Sequence, residues 1–373
     1  MRIDFIITEL FVGGAERCLT ELAVGMAELG DEVRVFSIGS LPDGGPNDGG
    51  RGALLEKLQC AGVEVASGNA DANRECVSAY RQLRQWLKES KPDVCQTFLH
   101  HANVLGTLAA KSAGVRNRVA GIRVAESKAV RCTIEKFALK ASTSVICVSR
   151  AVERFAAKRL GCPAAKLMVI PNGVDAGRFS NAEPFDWPQI GWPQNAVVTL
   201  FVGRLHQQKG IELLQSEIDQ LAPNGSNQRL LLVGDGPLRS ELKTWAEELG
   251  PQQVQLLGWR PDIASLMAGS RLIVLPSHYE GMPNVILEAM AAGKPVVCSR
   301  VEGSQELLKH DWDQQSFPAG DGVQMARLAS RYLEQQDLAL TAGTRNQSLV
   351  SQHHTLGTMV KHYRSHYRKI LDR

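Results

Sequence analysis

Two carboxylates, Glu280 and Glu288, bracket the sequence EGMPNVILE, which contains an expected helix start. Pro283 suits the first position of a helix and Gly293 the position just past its end, so the pattern predicts a helix from about Pro283 to Ala292. The N–H groups of a first helical turn lack partners within the helix and lie at the positive end of its dipole, so they can bind an anion. The residues expected to line this anion site are Gly281, Met282, Pro283, Asn284 and Val285. A phosphate held there, with hydroxyl groups bound by a carboxylate on each side, has the chemistry of a nucleotide sugar.

Two cations follow another strand-like run. Arg204 comes directly after the apolar residues 197–202, and Lys209 stands where the next helix is expected to begin. A guanidinium can bind a diphosphate through two parallel hydrogen bonds and an ammonium can bind it as a point charge, so the pair would stabilise a departing diphosphate. Either cation alone is better explained as a surface residue of a loop. Their position beside Gly203 and Gly210 favours the diphosphate clamp.

Two further strand ends are candidate binding loops. Gly234 and Gly236 form a turn after the run at 230–233 that would let the backbone approach a ligand closely. After the run at 254–257, Trp259 or Arg260 could lie over the face of a nucleotide base, while core packing of Trp259 is an equal alternative.

The first half of the chain offers candidates for an opposing binding surface. Gly13 and Gly14 precede a helix, and their backbone N–H groups could meet the phosphates of a donor or simply mark the helix start. Polar residues that follow strands and could contact a sugar are His100, His101, Arg123 and, more weakly, Glu126. Of the two histidines, His101 is favoured to bind a sugar hydroxyl while its neighbour packs.

The elements that must position these residues alternate between apolar runs and helical patterns, which predicts parallel sheets covered by helices on both faces. Strands are expected at 3–7, 32–37, 94–97, 118–122 and 144–148, and then at 197–202, 229–233, 254–257, 272–275 and 296–299. Helices in the first half are expected at 14–29, 73–88, 102–112 and 131–140, and residues 40–52 are expected to form a loop. A length of 373 residues predicts two domains, at 1–175 and 196–355, joined by a linker at 176–195 that is rich in proline and glycine. We expect the last helix, 356–373, to return to the first domain, and ligands to bind in a cleft at the carboxyl ends of the strands.

Composition limits the remaining possibilities. No run approaches the roughly 18 apolar residues of a membrane-spanning helix, and the start of the chain predicts a buried strand instead of a signal peptide. Eight scattered cysteines without metal-type spacing predict reduced thiols in a cytoplasmic protein and no metal site. Residues 111–172 contain 13 lysines and arginines against three acidic residues, a net charge of +10, while the rest of the chain carries −7. This basic region could be a set of solvated helix faces or could bind an anionic acceptor or the inner membrane surface; nucleic acid is not expected.

Several of these segments, taken in order, resemble glycosyltransferase family 4. They are GGAER at 13–17, VSR at 148–150, IPNGVD at 170–175, GR and KG at 203–204 and 209–210, VGDGP at 233–237, and the two glutamates 280 and 288. The resemblance implies a GT-B fold with two Rossmann-like domains, retaining transfer and no required metal or other cofactor. It implies that Glu280 contacts hydroxyls of the donor sugar, that Glu288 contacts the ribose, and that Arg204 and Lys209 bind the diphosphate. Many members have a histidine where this chain has Arg123, so Arg123 or His101 is expected to take over part of that role.

The expected function is transfer of a hexose from a nucleotide sugar, with UDP as the expected nucleotide, to an envelope lipid, polysaccharide or glycan. The first half shows no convincing carboxylate base, so the leaving diphosphate itself is expected to accept the proton of the incoming hydroxyl. A nucleotide-sugar epimerase and a non-catalytic nucleotide-sugar-binding subunit are the alternatives. The epimerase would convert the donor without an acceptor, and the subunit would bind the donor without turning it over.

Overall fold

The computed structural model of the chain describes residues 1–11, 13–42, 52–125, 129–308 and 311–372. It divides into two compact units, which we call unit 1 (residues 1–173 and 356–373) and unit 2 (residues 174–355). Both are parallel sheets with covering helices, so the α/β architecture expected from the sequence is confirmed.

Unit 1 contains a seven-stranded parallel sheet of order β3-β2-β1-β4-β5-β6-β7. Its strands are β1 (Arg2–Ile7), β2 (Glu32–Ser37), β3 (Glu64–Ser67), β4 (Val94–Phe98), β5 (Asn117–Ile122), β6 (Ser144–Cys147) and β7 (Leu167–Val169). Its first six helices are α1 (Gly14–Glu28), α2 (Ala53–Cys60), α3 (Cys76–Ser90), α4 (His100–Ser112), α5 (Ala129–Leu139) and α6 (Arg150–Lys158). The order reverses between β1 and β4, and the carboxyl ends of these adjacent strands form the switch point where ligands bind in such sheets.

Unit 2 repeats this arrangement with six parallel strands in the order β10-β9-β8-β11-β12-β13. The strands are β8 (Val197–Val202), β9 (Gln228–Val233), β10 (Val254–Leu256), β11 (Leu272–Leu275), β12 (Val296–Ser299) and β13 (Ser316–Phe317). The helices are α7 (Ala176–Ser180), α8 (Ile211–Ser216), α9 (Ile218–Leu221), α10 (Arg239–Leu249), α11 (Ile263–Gly269), α12 (Asn284–Ala291), α13 (Ser304–Leu307), α14 (Trp312–Gln315), α15 (Gly322–Glu334) and α16 (Gln336–His353). Here the order reverses between β8 and β11, so the loops after these two strands are adjacent.

The central strands are apolar because both faces of each sheet are covered. Residues 230–233 of β9 and all of β11 and β12 are buried, which is why continuous apolar runs mark these strands. The strands that were not expected from the sequence are the short β3, β7 and β13 at or near the edges of their sheets.

The final helix, α17 (Leu356–Leu371), packs on unit 1. The Tyr363 ring stacks on Phe98 with the ring centroids 6.5 Å apart, and the Tyr367 hydroxyl donates to Gln96 Oε1 at 3.0 Å. Arg364 pairs with Asp31 at 2.8 Å, just beyond the end of α1. These buried contacts make the last helix part of the core of unit 1.

The segment 176–195, expected to be a linker, is instead packed on unit 2. The backbone N–H of Phe185 donates to Ser265 O at 3.0 Å, and Phe185 is buried together with Trp187 and Trp192. One of the prolines that suggested a linker, Pro188, lies in a 3-10 turn at Trp187–Ile190, and aromatic burial holds the segment against α11.

The structure also describes the state of the cysteines and the hydrophobicity of the helices. All eight thiols are free, and burial raises the pKa of Cys147 and of Cys298 to about 12, so both are protonated and unreactive near neutral pH. Across the described residues, no helix combines the length and apolar character needed to cross a bilayer.

Candidate active site

The switch point of unit 2 contains an ion pair between two of the expected site residues. Lys209 follows β8, Glu280 follows β11, and Lys209 Nζ lies 2.5 Å from Glu280 Oε1. Ser277 Oγ donates to the same oxygen at 2.8 Å. The two charged side chains are 18% and 10% exposed, so the pair is largely shielded from water while still reaching the surface. Residues 71 positions apart therefore meet because their strands are neighbours.

The backbone holds this pair rigidly. Gly210 has φ +64°, and a Cβ atom at that position would lie 2.1 Å from Pro276 O, so only glycine fits between the two loops. The N–H of His278 donates to Gln208 O at 2.8 Å, and Gln208 Nε2 donates to Tyr279 O at 2.9 Å. The loop after β8 and the loop after β11 thus form one connected surface.

Helix α12 begins beside this surface. Asn284 is its first residue and Pro283 is the preceding cap, one position later than the sequence predicted. Gly281, Met282 and Pro283 are buried, whereas Asn284 and Val285 are half-buried. The first helical turn is thus the part of this segment that reaches solvent, as an anion site requires.

Glu288 lies in the second turn of α12 and is only 5% exposed. The expectation that it contacts a ribose stays a prediction.

Arg204 contrasts with Lys209, because its side chain is exposed and makes no hydrogen bond or ion pair to any residue that the structure describes. A nearby exposed guanidinium without a protein partner is available for an anion. Gly234 and Gly236 bring the loop after β9 against the backbone on either side of Arg204. A Cβ atom on Gly234 would lie 1.9 Å from Gly203 O, and one on Gly236 would lie 2.4 Å from Leu205 O.

The two residues expected to stack on a base, Trp259 and Arg260, differ in their contacts. The Arg260 guanidinium makes two hydrogen bonds to the Asp262 carboxylate, at 2.8 and 2.5 Å, and lies 5.8 Å from the centre of the Phe185 ring. Trp259 is half-buried and outside the buried core, and the stacking of either residue on a base stays a prediction.

In unit 1, the helix start at Gly13 and Gly14 is occupied by a protein carboxyl group. The Glu16 carboxyl accepts hydrogen bonds from the backbone N–H groups of Ala15 and of Glu16 itself. A Cβ atom on Gly13 would lie 2.2 Å from Glu16 Oε2. Burial raises the pKa of Glu16 to about 7, with the nearby Glu9 adding to the rise. Any phosphate approaching Gly14 therefore meets a carboxyl group poised between its charged and neutral forms.

The two histidines are the first residues of α4 at the switch point of unit 1, so the helix start expected after β4 is confirmed. His100 Nδ1 lies 3.1 Å from Glu135 Oε2 of α5, and Asn103 Nδ2 donates to Glu135 Oε1 at 2.9 Å. The contact with Glu135 occupies Nδ1 and fixes the orientation of the His100 ring, which leaves Nε2 as the ring nitrogen that can meet a ligand. No residue in the described part of the chain hydrogen-bonds to Nε2.

His101 is the more exposed of the two rings, and its centroid lies 5.4 Å from that of His100. Partial burial, with the neighbouring His100 and Arg131 adding to the effect, lowers the pKa of His101, so the ring is neutral at pH 7. Leu99, directly before the pair, has φ +74°, a conformation that costs a residue with a side chain about 1–3 kcal/mol and is typical of functional sites.

Arg123 does not have the sugar-contacting position expected of it. It is 7% exposed and its guanidinium hydrogen-bonds to Asn172 and, at 3.4 Å, to the Tyr363 hydroxyl. It also lies over the Phe98 ring, 5.3 Å from the centroid. These contacts anchor α17 on unit 1, so the structure assigns Arg123 a supporting role. Glu126 lies outside the described residues.

Sequence reasoning missed the residues that hold the expected ones in place. Gly303 has φ +78°, and a Cβ atom there would lie 2.1 Å from Gly281 O, so this glycine lets the loop after β12 cover the approach to α12. Ser277 orients Glu280 and Glu135 orients His100. Glu135 had a detectable signal, because it is a charged residue on the same helical face as the apolar Ala138 and Leu139.

Two family models match the chain. The model described as Glycosyltransferase Family 4 matches residues 12–178, and that described as Glycosyl transferases group 1 matches residues 196–335. The expected family resemblance is therefore confirmed for both halves.

Individual relatives agree. The chain is 32% identical to the UDP-Gal:alpha-D-GlcNAc-diphosphoundecaprenol alpha-1,3-galactosyltransferase of Escherichia coli over 62% of its own length and 64% of the relative. It is 31% identical to the lipopolysaccharide core biosynthesis glycosyltransferase LpsD of Rhizobium meliloti, over 41% of the chain and 44% of the relative. The matches thus span less than two thirds of these curated relatives.

Solved structures show the same fold over the whole chain. HepE of Anabaena, in complex with UDP-glucose, has a TM-score of 0.83 and 24% identity, with all of both chains covered. The lipopolysaccharide biosynthesis glycosyltransferase WaaG has a TM-score of 0.74 and 18% identity, covering 96% of this chain and 98% of WaaG. The fold is therefore GT-B.

Proposed function

This chain combines a glycosyltransferase family 4 domain with a glycosyl transferases group 1 domain, and we propose that it moves a hexose from a UDP-sugar to an envelope lipid, polysaccharide or glycan. The proposal places the donor on unit 2 and the acceptor on unit 1. The single observation that carries it is the cluster at the switch point of unit 2: an exposed Arg204, the Lys209–Glu280 pair and the first turn of α12.

The charges of this cluster suit a diphosphate that leaves during the reaction. Lys209 is held at a fixed position, and the exposed Arg204 has no partner among the described residues to release, so both are available to stabilise negative charge. The first turn of α12 adds backbone N–H groups aimed at the same anion. Preorganised donors of this kind are worth about 10²–10³ in rate each when they act on developing charge.

The nucleotide is proposed from similarity. HepE was solved with UDP and with UDP-glucose, and the galactosyltransferase relative is named for a UDP-galactose donor. We propose that the Trp259 side chain stacks on the base and that the Glu280 carboxylate binds sugar hydroxyls.

The transfer step breaks the bond between the anomeric carbon and the diphosphate oxygen and forms a bond from that carbon to the acceptor oxygen. We propose that the acceptor attacks from the face that the diphosphate leaves, so that the anomeric configuration is retained. The proton of the acceptor hydroxyl passes to the departing diphosphate oxygen, whose remaining charge is stabilised by Arg204 and Lys209. This route needs no metal ion, since the two cations supply the positive charge.

On the acceptor side, the proposal uses His100 and His101 at the switch point of unit 1. His100 is oriented by Glu135 and His101 is neutral, so each ring can hydrogen-bond a hydroxyl group. The galactosyltransferase relative is named for a lipid-linked acceptor, and we propose an acceptor of that kind at the membrane surface.

The test is a transfer assay with a panel of UDP-hexoses and lipid-linked or oligosaccharide acceptors, with the product examined by proton NMR. The proposal expects an acceptor-dependent product that has the same anomeric configuration as the donor, and about 100-fold or greater loss in each of Arg204→Ala and Lys209→Ala. Conversion of the donor without acceptor would indicate an epimerase. Full activity in both variants would refute the proposed site.

A further inference from the structure

Helix α5 of unit 1 presents an apolar stripe to solvent. Val130, Ile134 and Phe137 are 75%, 47% and 67% exposed. Their spacing of four and three residues places them on one face of the helix. Among the described residues, no other helix or strand carries more than one exposed large apolar side chain.

The stripe is not a consequence of a loosely attached helix. The opposite face of α5 is buried through Glu135, Ala138 and Leu139, and Glu135 is bound to His100 and Asn103. The contacts of its inner face fix the orientation of α5, and as a result the apolar stripe faces solvent.

The charges around the stripe are positive. Lys136 and Lys140 are exposed, at and just past the end of α5. Glu135 is buried, and the other acidic residue described in the basic region 111–172, Glu153, pairs with Arg150 at 3.0 Å. The exposed surface around the stripe thus combines large apolar side chains with lysines, which is the chemistry of a helix lying at an anionic membrane interface.

We propose that the outer face of α5, made of Val130, Ile134 and Phe137 with Lys136 and Lys140, docks on an anionic lipid bilayer. The helix lies in the plane of the interface, its apolar side chains enter the boundary between headgroups and acyl chains, and the lysines contact lipid phosphates. The inference rests on the proposed function, because a lipid-linked acceptor would be located at the membrane surface. The inner face of the same helix orients His100, so docking would bring the acceptor-side residues to the membrane.

Co-sedimentation of the full chain with vesicles tests the proposal. The vesicles contain either phosphatidylcholine alone or phosphatidylcholine with about one third phosphatidylglycerol. We expect binding to the anionic vesicles that weakens at about 0.5 M salt. The triple variant Val130→Ser/Ile134→Ser/Phe137→Ser should bind at least about 10-fold more weakly, because apolar burial drives insertion. Lys136→Glu/Lys140→Glu should lose binding to anionic vesicles specifically.

The matched control is Val323→Ser/Leu340→Ser, which removes two exposed apolar side chains from unit 2. It should bind vesicles as the wild type does. Equal binding by the control and the triple variant would overturn the proposal, provided that both unfold at the same urea concentration as the wild type. If the triple variant fails to fold, Lys136→Glu/Lys140→Glu decides the matter alone, since both lysines are exposed.

Two other outcomes are separable. Concentration-dependent dimerisation that the triple variant abolishes, without any vesicle binding, would mean that the stripe contacts a second copy, and would overturn the proposal. UDP binding measured without vesicles tests the proposed function independently. Vesicle binding that depends on α5 in a protein unable to bind UDP would support docking and refute the glycosyl-transfer function.

Discussion

Replacing Glu280 with glutamine separates binding of the nucleotide from transfer of the sugar. In the free protein, Glu280 Oε1 lies 2.5 Å from Lys209 Nζ and accepts a hydrogen bond from Ser277 Oγ at 2.8 Å. A glutamine oxygen can accept both hydrogen bonds, so Glu280→Gln keeps the shape of the loop while it removes the charge. Lys209 then becomes more available to a diphosphate.

The size of the effect follows from the distances. A phosphate oxygen that contacts Lys209 at about 3 Å lies within about 6 Å of Glu280 Oε1. Two unit charges that far apart repel by about 3 kcal/mol at an effective dielectric constant of about 20 and by less than about 1 kcal/mol in water. For this partly exposed site we expect about 1–2 kcal/mol, which corresponds to UDP binding about 5- to 30-fold tighter. The variant should nevertheless transfer sugar about 100-fold more slowly, because the hydroxyls of the donor lose the carboxylate that positions them.

Isothermal titration with UDP and steady-state kinetics with the UDP-sugar measure the two effects on the same preparation. Glu247→Gln is the matched control, since Glu247 forms an exposed ion pair with Lys243 at 3.7 Å in the same unit. It should change neither quantity. Weaker UDP binding in a folded Glu280→Gln protein would refute the reasoning, because it would mean that the carboxylate supports the diphosphate site and does not compete with it.

Four other changes test separate parts of the account. The pKa of Glu16 is about 7 in the folded protein against an ordinary 4.5, so its contribution to the free energy of unfolding is complete below about pH 4.5 and is lost as the pH rises through 7. In Glu16→Gln, urea titrations should show that the free energy of unfolding falls by up to about 3 kcal/mol less over this pH range. An unchanged fall would contradict the raised pKa. Glu135→Gln frees His100 from its carboxylate and should lower kcat about 10-fold at unchanged KM for the donor, whereas His362→Gln, on the exposed face of α17, should leave kcat unaltered. Gly234→Ala places a methyl group 1.9 Å from Gly203 O and should lower the free energy of unfolding by more than about 3 kcal/mol. The control Gly225→Ala should lower it by about 1 kcal/mol, because Gly225 also has a positive φ but has open space around it. Equal losses in the two variants would contradict the close approach at Gly234. Transfer should survive dialysis against EDTA, and its loss with recovery on adding Mg²⁺ would contradict charge neutralisation by Arg204 and Lys209 alone.

Much of the framework could be predicted from the sequence because parallel strands buried on both faces leave continuous apolar runs. The limits expected for β8, β11 and β12 match the structure, and the proline and glycine that flank α12 located it to within one residue at each end. The meeting of Lys209 with Glu280 also follows from topology, since each residue comes after a strand next to the switch point.

The parts that escaped prediction depend on tertiary packing. The strands β3 and β7 lie at sheet edges and contain no fully buried residue, and β13 spans only two residues, so none of the three has a continuous buried apolar run. Arg123 follows a strand like a binding residue, yet the return of α17 buries it against Tyr363. The Glu16 carboxyl folds back onto the helix start at Gly13. This contact depends on the backbone geometry and could not be predicted from the residue types alone.

The most direct test of the central claim is a crystal structure of the protein with UDP. We expect the diphosphate to lie within about 3 Å of Arg204 and Lys209 and of the first-turn N–H groups of α12, with the base near Trp259. A diphosphate bound elsewhere, or one that leaves both cations without contact, would contradict it.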